Sequence, residues 1–175
     1  MSKAKKRVRE LVLTAMLFAL AIILSIIESM LPSPVPVPGV KFGLSNIVVM
    51  YALFFLQRQD AFLIAVLKGL FAALTRGVTA GLLSTAGGLL SIFVMLTLKY
   101  FLKEKGTYFI YSMSGALAHN MGQYIVISVL YTSIGIVYYL PVLIVAGIAS
   151  GTITAVLLNY IMPALSAMGL EKGIE

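Results

Sequence analysis

Apolar residues occur in six runs, separated by short segments that contain charged residues, glycine or proline. A helix needs about 20 predominantly apolar residues to cross a bilayer, and most of the runs are that long. The pattern predicts an all-α integral membrane protein, a six-transmembrane-helix bundle that forms one domain over residues 1–175. The second and third helices are short for complete spans and are predicted to be tilted or partly re-entrant. The helices are predicted at about 9–30, 43–56, 61–74, 81–101, 109–130 and 141–165.

The composition supports a membrane protein and excludes several kinds of site. Hydrophobic residues make up 61% of the chain and charged residues 11%, whereas a soluble domain carries about 25% charged residues. So few charges cannot cover a surface in water. The chain has no cysteine and one histidine, which excludes disulfides, thiolate metal sites and a site built from several histidines. We therefore expect neither a metal ion nor a cofactor.

The lysines and arginines indicate the orientation of the helices. All of them except Lys41, Lys68 and Arg76 lie at the termini or near the loops before the predicted third and fifth helices. Basic residues are enriched on the cytoplasmic side, so both termini of this multi-pass cell-membrane protein are predicted to be cytoplasmic. The proline-rich segment 31–41 then lies outside the cell. Because the basic residues follow helix ends, the net charge of +7 does not indicate a nucleic acid partner.

Polar residues inside apolar helices are costly in a bilayer and indicate function. In the predicted topology they fall between the middle of the membrane and its outer surface, where a pocket under the proline-rich segment would lie. Lys41, Lys68 and Arg76 outnumber Glu28 there, so an anionic ligand is favoured. The alternatives are an internal hydrogen-bond network and a structural Glu28–Lys68 ion pair. The candidate substrate-binding residues are Lys41, Asn46, Lys68, Ser84, His119, Asn120 and Gln123.

Sequence features that would support catalysis are missing. The chain contains neither a phosphate-binding Gly-x-x-x-x-Gly-Lys-Ser/Thr loop nor a Gly-x-Ser-x-Gly nucleophile elbow. Asp60 is the one aspartate, whereas prenyl diphosphate synthesis needs clusters of aspartates to hold Mg²⁺ against the diphosphate. We expect that the protein is not an enzyme.

Two short motifs resemble a known family. Lys41-Phe-Gly-Leu-Ser-Asn46 and Ala118-His-Asn-Met-Gly-Gln123 resemble the Gx transporter family, whose members are often described as heptaprenyl diphosphate synthase component I. That family in turn resembles the substrate-binding S-components of energy-coupling factor (ECF) transporters. The resemblance implies six helices, cytoplasmic termini and an outer pocket capped by the first loop. It also implies that Ala15 and Ala19 dock on a transmembrane coupling protein, which works with two cytoplasmic ATPases.

Two functional hypotheses follow. The first is a membrane-embedded solute-binding subunit of an ECF-type transporter, for a small, anionic, vitamin-like or isoprenoid- or quinone-like solute. The alternative is a non-catalytic membrane partner that anchors an enzyme of isoprenoid (heptaprenyl diphosphate) synthesis. The alternative would place the important surface on cytoplasmic loops, at Arg58, Asp60 and residues 103–105, instead of in an outer pocket.

Overall fold

The computed structural model describes residues 3–30, 44–131 and 137–167. Within these ranges it consists of helices and contains no strand, which confirms the all-helical prediction. A short 3₁₀ turn, Lys103–Lys105, follows the fourth helix. The α-helices are α1 (Lys3–Met30), α2 (Leu44–Phe55), α3 (Arg58–Arg76), α4 (Val78–Leu102), α5 (Tyr108–Leu130) and α6 (Tyr139–Ala167).

Several helices extend further than the apolar pattern predicts, and α1 and α3 show the reason. α1 begins at Lys3, well before residue 9, because Lys, Arg and Glu are good helix formers and need no burial to be helical. α3 extends beyond 61–74 at both ends. At its start the backbone N–H of Gln57 donates to the Asp60 carboxylate at 3.1 Å, a capping interaction that lies outside the apolar run. The apolar runs predicted where the helices lie but did not predict their polar ends.

α2 is short, and the other helices of the protein surround it. Every residue from Ile47 to Phe55 is buried, and α2 packs against α1, α3, α4 and α6. Twelve residues make a helix about 18 Å long, shorter than the roughly 30 Å hydrocarbon layer. A helix enclosed by other helices need not match that thickness, so its length is compatible with a central position in a bundle.

Glycines allow α4 and α5 to pack closely. A Cβ atom on Gly122 would lie 2.7 Å from the backbone oxygen of Ala86 and 2.9 Å from Cα of Gly87. Atoms of the backbone cannot move aside without moving the helix. By contrast, a Cβ on Gly88 would lie 3.3 Å from Cβ of Ala65, a tight contact with one methyl group. The small residues of α4 and α5 therefore bring the two backbones together.

Three of the described helical segments are long and apolar enough to cross a membrane, namely Arg7–Met30, Val78–Leu102 and Leu140–Ile161. They indicate that the protein associates with a membrane. Ala15 and Ala19 lie on the exposed face of α1, next to the exposed apolar side chains of Met16 and Leu20. The prolines of segment 31–41 lie outside the described residues, as does residue 172 near the C-terminus.

Candidate functional site

A polar cavity of about 360 Å³ lies inside the bundle, and all six helices contribute to its wall. Its lining residues carry polar side chains, with the exception of Ala80, Leu83 and Ala116. A cavity of this size is typical of sites for small molecules, which have volumes of about 300–1,000 Å³. The lining residues are Ser25, Glu28, Ser45, Asn46, Lys68, Arg76, Thr79, Ala80, Leu83, Ser84, Ala116, His119, Asn120, Gln123 and Ser150.

The structure brings together the candidate residues that it describes. One cavity is lined by Asn46, Lys68, Ser84, His119, Asn120 and Gln123, and their role in binding a substrate stays a prediction. Lys41 lies outside the described residues. Sequence reasoning did not select Ser25 and Ser150, which line the same cavity. Ser25 had a usable signal, since it lies three residues before Glu28 and therefore on the same helix face.

Lys68 is the charged centre of the cavity. Its side chain is only 3% exposed, and its Nζ donates hydrogen bonds to Asn46 Oδ1 at 2.7 Å and to Ser45 Oγ at 3.2 Å. A lysine ammonium has three N–H donors. Glu28, also buried, attracts Lys68 electrostatically. Lys68 therefore donates to two neutral acceptors and is also attracted by one carboxylate of opposite charge.

The first turn of α2 reinforces this positive charge. Ser45 and Asn46 belong to that turn and line the cavity. The N-terminus of a helix carries the positive end of its dipole and favours negatively charged groups. Arg76, at the end of α3, is exposed and adds a second cation to the wall. One side of the cavity thus has an excess of positive charge.

α5 supplies the neutral side of the cavity. Asn120 Nδ2 donates to the backbone oxygen of Leu143 at 2.8 Å, so this side chain ties α5 to α6. Nε2 of Gln123 lies 3.3 Å from Nε2 of His119. Within the described part of the chain, Gln123 Oε1 is buried without a hydrogen-bond partner. His119 Nδ1 lacks a partner of good geometry but lies against the backbone of Gly87, which interacts with the ring.

An unpartnered buried polar atom costs about 1–3 kcal/mol. A side chain that served only the fold would be expected to have its polar atoms satisfied. Gln123 is therefore a better candidate for a functional role than Asn120, whose amide already bonds a neighbouring helix. Among the described residues, no group of three or more His, Cys, Asp or Glu side chains could hold a metal ion.

Long apolar helices around a polar cavity define a membrane-associated helical protein with an interior suited to a small molecule. The family model described as heptaprenyl diphosphate synthase component I matches residues 17–161. The chain belongs to that family, and the resemblance predicted from the two short motifs is confirmed. No curated protein and no solved structure matches the chain. The likeness to ECF S-components stays a prediction.

Proposed function

We propose that this protein is a non-catalytic membrane subunit that binds a small anionic solute in its polar cavity, as the solute-binding subunit of an ECF-type transporter. The observation that carries the proposal is the buried Lys68, which lines the 360 Å³ cavity beside the first turn of α2. Buried cations are costly unless they are paired and hydrogen-bonded. A binding role gives a reason for placing one in a cavity large enough for a ligand.

The charge distribution supports an anionic ligand. Lys68, Arg76 and the α2 N-terminus supply positive charge or potential, whereas Glu28 is the one carboxylate among the described residues of the lining. A carboxylate or phosphate could accept the third N–H of Lys68 while His119 and Gln123 bond a neutral part of the molecule. Most lining residues are of polar types, but carbon atoms form most of the accessible wall. The wall therefore suits an anionic group joined to an apolar part, as in an acidic vitamin or in an isoprenoid or quinone precursor.

A six-span arrangement is part of this proposal. α3 and α5 turn polar residues toward the cavity and leave apolar residues exposed on their other faces, for example Leu63 and Leu70 on α3 and Ile125 on α5. That division suits helices with lipid on one side. The basic ends described above would place both termini in the cytoplasm. A transmembrane coupling protein that docks at Ala15 and Ala19, and two ATPases, would complete the transporter.

The second candidate function is a membrane partner of an isoprenoid-synthesising enzyme. The family description names a component of heptaprenyl diphosphate synthase, which favours this candidate more directly than transport. The partner would dock on the polar end of the bundle, where Arg58, Lys103 and Lys105 are exposed and Asp60 is half-buried. The protein would then anchor the enzyme, and the cavity would have a minor role.

Native mass spectrometry of the protein purified in mild detergent separates the two candidates. A stoichiometric small molecule, lost in Lys68→Ala and His119→Ala but retained in Arg58→Ala and Lys103→Ala, would support the solute-binding subunit. A co-purifying soluble synthase, lost in the two loop variants and retained in the two cavity variants, would support the anchor. Protein that carries only bilayer lipid in every form would count against a tightly bound solute.

A further inference from the structure

A second, smaller compartment of about 20 Å³ adjoins the main cavity. The two share Asn46, Ala116 and Ser150 in their walls. The smaller compartment is additionally lined by Met50, Ser91, Met95, Ser112, Gly115 and Thr154.

The helix register places this compartment deeper along the bundle. Its wall includes Met50 on α2, Ser91 on α4 and Thr154 on α6, each one or two turns beyond the main-cavity residues of the same helix. On α5, which runs antiparallel to its neighbours α4 and α6, the corresponding residue is Ser112, two turns before His119. On all four helices the residues of the compartment are therefore displaced toward the same end of the bundle, the end where α2 finishes. The compartment continues the main cavity in that direction.

The hydroxyl groups around the compartment have complementary roles. Ser112 Oγ donates to the Gly151 backbone oxygen at 2.7 Å, and Ser150 Oγ donates to that of Gly147 at 3.2 Å. Because each hydroxyl has one proton, these two oxygens offer only lone pairs to a further partner. Ser91 and Thr154 are each 5% exposed, and neither makes a hydrogen bond within the described part of the chain.

We propose that the compartment binds one water molecule, which forms the floor of the main cavity. The water donates to the oxygens of Ser112 and Ser150 and accepts from the hydroxyls of Ser91 and Thr154, within the usual two to four hydrogen bonds of a buried water. A volume of about 20 Å³ exceeds the roughly 10–15 Å³ that one water needs.

A metal cation fits the compartment less well than water. None of the described residues that line it carries a carboxylate. Asn46, which does line it, already accepts a hydrogen bond from the positively charged Lys68. A second positive charge there would be repelled without a counter-charge. This inference does not depend on the proposed function, since the water would bind in a transporter subunit and in an enzyme anchor alike.

Hydroxyl-radical footprinting of the protein in lipid nanodiscs tests the proposal, because radiolysis of water produces the radical where the water resides. Met50 and Met95 line the compartment and are each 2% exposed. Methionine is readily oxidised to its sulfoxide, so both should be labelled in the folded protein. Met16 is 64% exposed but lies on the outer face of α1, where lipid would exclude water, and should be labelled less.

Gly115→Ala provides the occluding variant. Its new methyl group would lie 3.0 Å from Met95 Sδ and 3.1 Å from Ser91 Oγ, inside the compartment, so labelling of Met50 and Met95 should fall. Gly88→Ala is the matched control, since Gly88 lines neither cavity. In this variant Met50 and Met95 should be labelled as much as in the wild type. If Gly115→Ala does not fold, Thr154→Val, which keeps the shape and removes a hydroxyl, should lower labelling too.

Two results would overturn the proposal. One is the absence of sulfoxide at Met50 and Met95 in the folded wild type, with normal labelling of both after unfolding. The other is labelling that persists at wild-type level in a folded Gly115→Ala or Thr154→Val protein, because the radicals would then come from local opening and not from this water. Neither result bears on whether Lys68 binds a solute, which the mass spectrometry of the purified protein decides separately.

Discussion

Lys68→Met separates the binding role of this residue from its structural role. Methionine keeps an unbranched side chain and removes the charge. Glu28, which is 5% exposed, then loses the cation that attracts it. Ser45 Oγ and Asn46 Oδ1 also lose their hydrogen-bond donor. A buried polar group left without its partner costs about 1–3 kcal/mol, so the single variant should be destabilised. Glu28→Gln should restore part of this loss in the double variant, because it removes the negative charge that Lys68 attracts in the wild type.

Binding should behave differently from stability. A hydrogen bond to a charged group contributes about 1.5–3 kcal/mol, which corresponds to about 10- to 150-fold in Kd. The double variant should therefore be more stable than Lys68→Met and yet bind an anionic solute at least tenfold more weakly than the wild type does. Lys99→Met is the control, since Lys99 is a lysine outside the cavity that lies 5.1 Å from the ring centre of Phe54. It should leave binding unchanged.

Thermal unfolding in detergent measures the first effect, and calorimetric titration with the compound released from the wild-type protein measures the second. If the double variant binds that compound as tightly as the wild type, Lys68 is not an anchor for the ligand. If Glu28→Gln fails to improve the stability of Lys68→Met, the two residues do not form a coupled pair. Equal losses of stability and of binding in every variant would assign Lys68 a purely structural role.

Three further changes test other parts of the structure. Gly122→Ala should lower the free energy of unfolding by about 1–3 kcal/mol, because its methyl meets backbone atoms of α4, whereas Gly88→Ala should cost less; thermal unfolding that reverses this order would contradict the helix packing. Leucine at both Ala15 and Ala19 should abolish co-purification with a coupling protein while solute retention persists, and a complex at wild-type yield would remove this face of α1 from the docking surface. Gln123→Met removes a buried unpartnered oxygen together with the contact to His119 Nε2, so thermal stability should change little while solute retention weakens; a large loss of stability would make Gln123 structural.

The sequence by itself determined the helical class and the set of polar residues inside it. Apolar runs of helical length are a local property, so they could be located without knowing what each helix packs against. Polar groups at the centres of apolar helices are equally visible, because few sites in such a protein can accommodate a lysine or a histidine. For that reason Lys68, His119 and Gln123 could be grouped in advance, and the structure places them around one cavity.

Only the tertiary structure decided which small polar residues share that cavity. A serine in an apolar helix has the same sequence signature whether it bonds the preceding turn, as Ser128 does to Tyr124, or lines a cavity and bonds another helix, as Ser45 does. Which of the two roles a serine has depends on how its helix is rotated about its axis and on which helix packs against it. The same holds for the hydrogen bonds from Lys68 to Ser45 and Asn46, since α2 and α3 present these side chains to one another only once both have packed. The central position of α2 is likewise a tertiary property, because a short apolar helix becomes buried only when other helices enclose it.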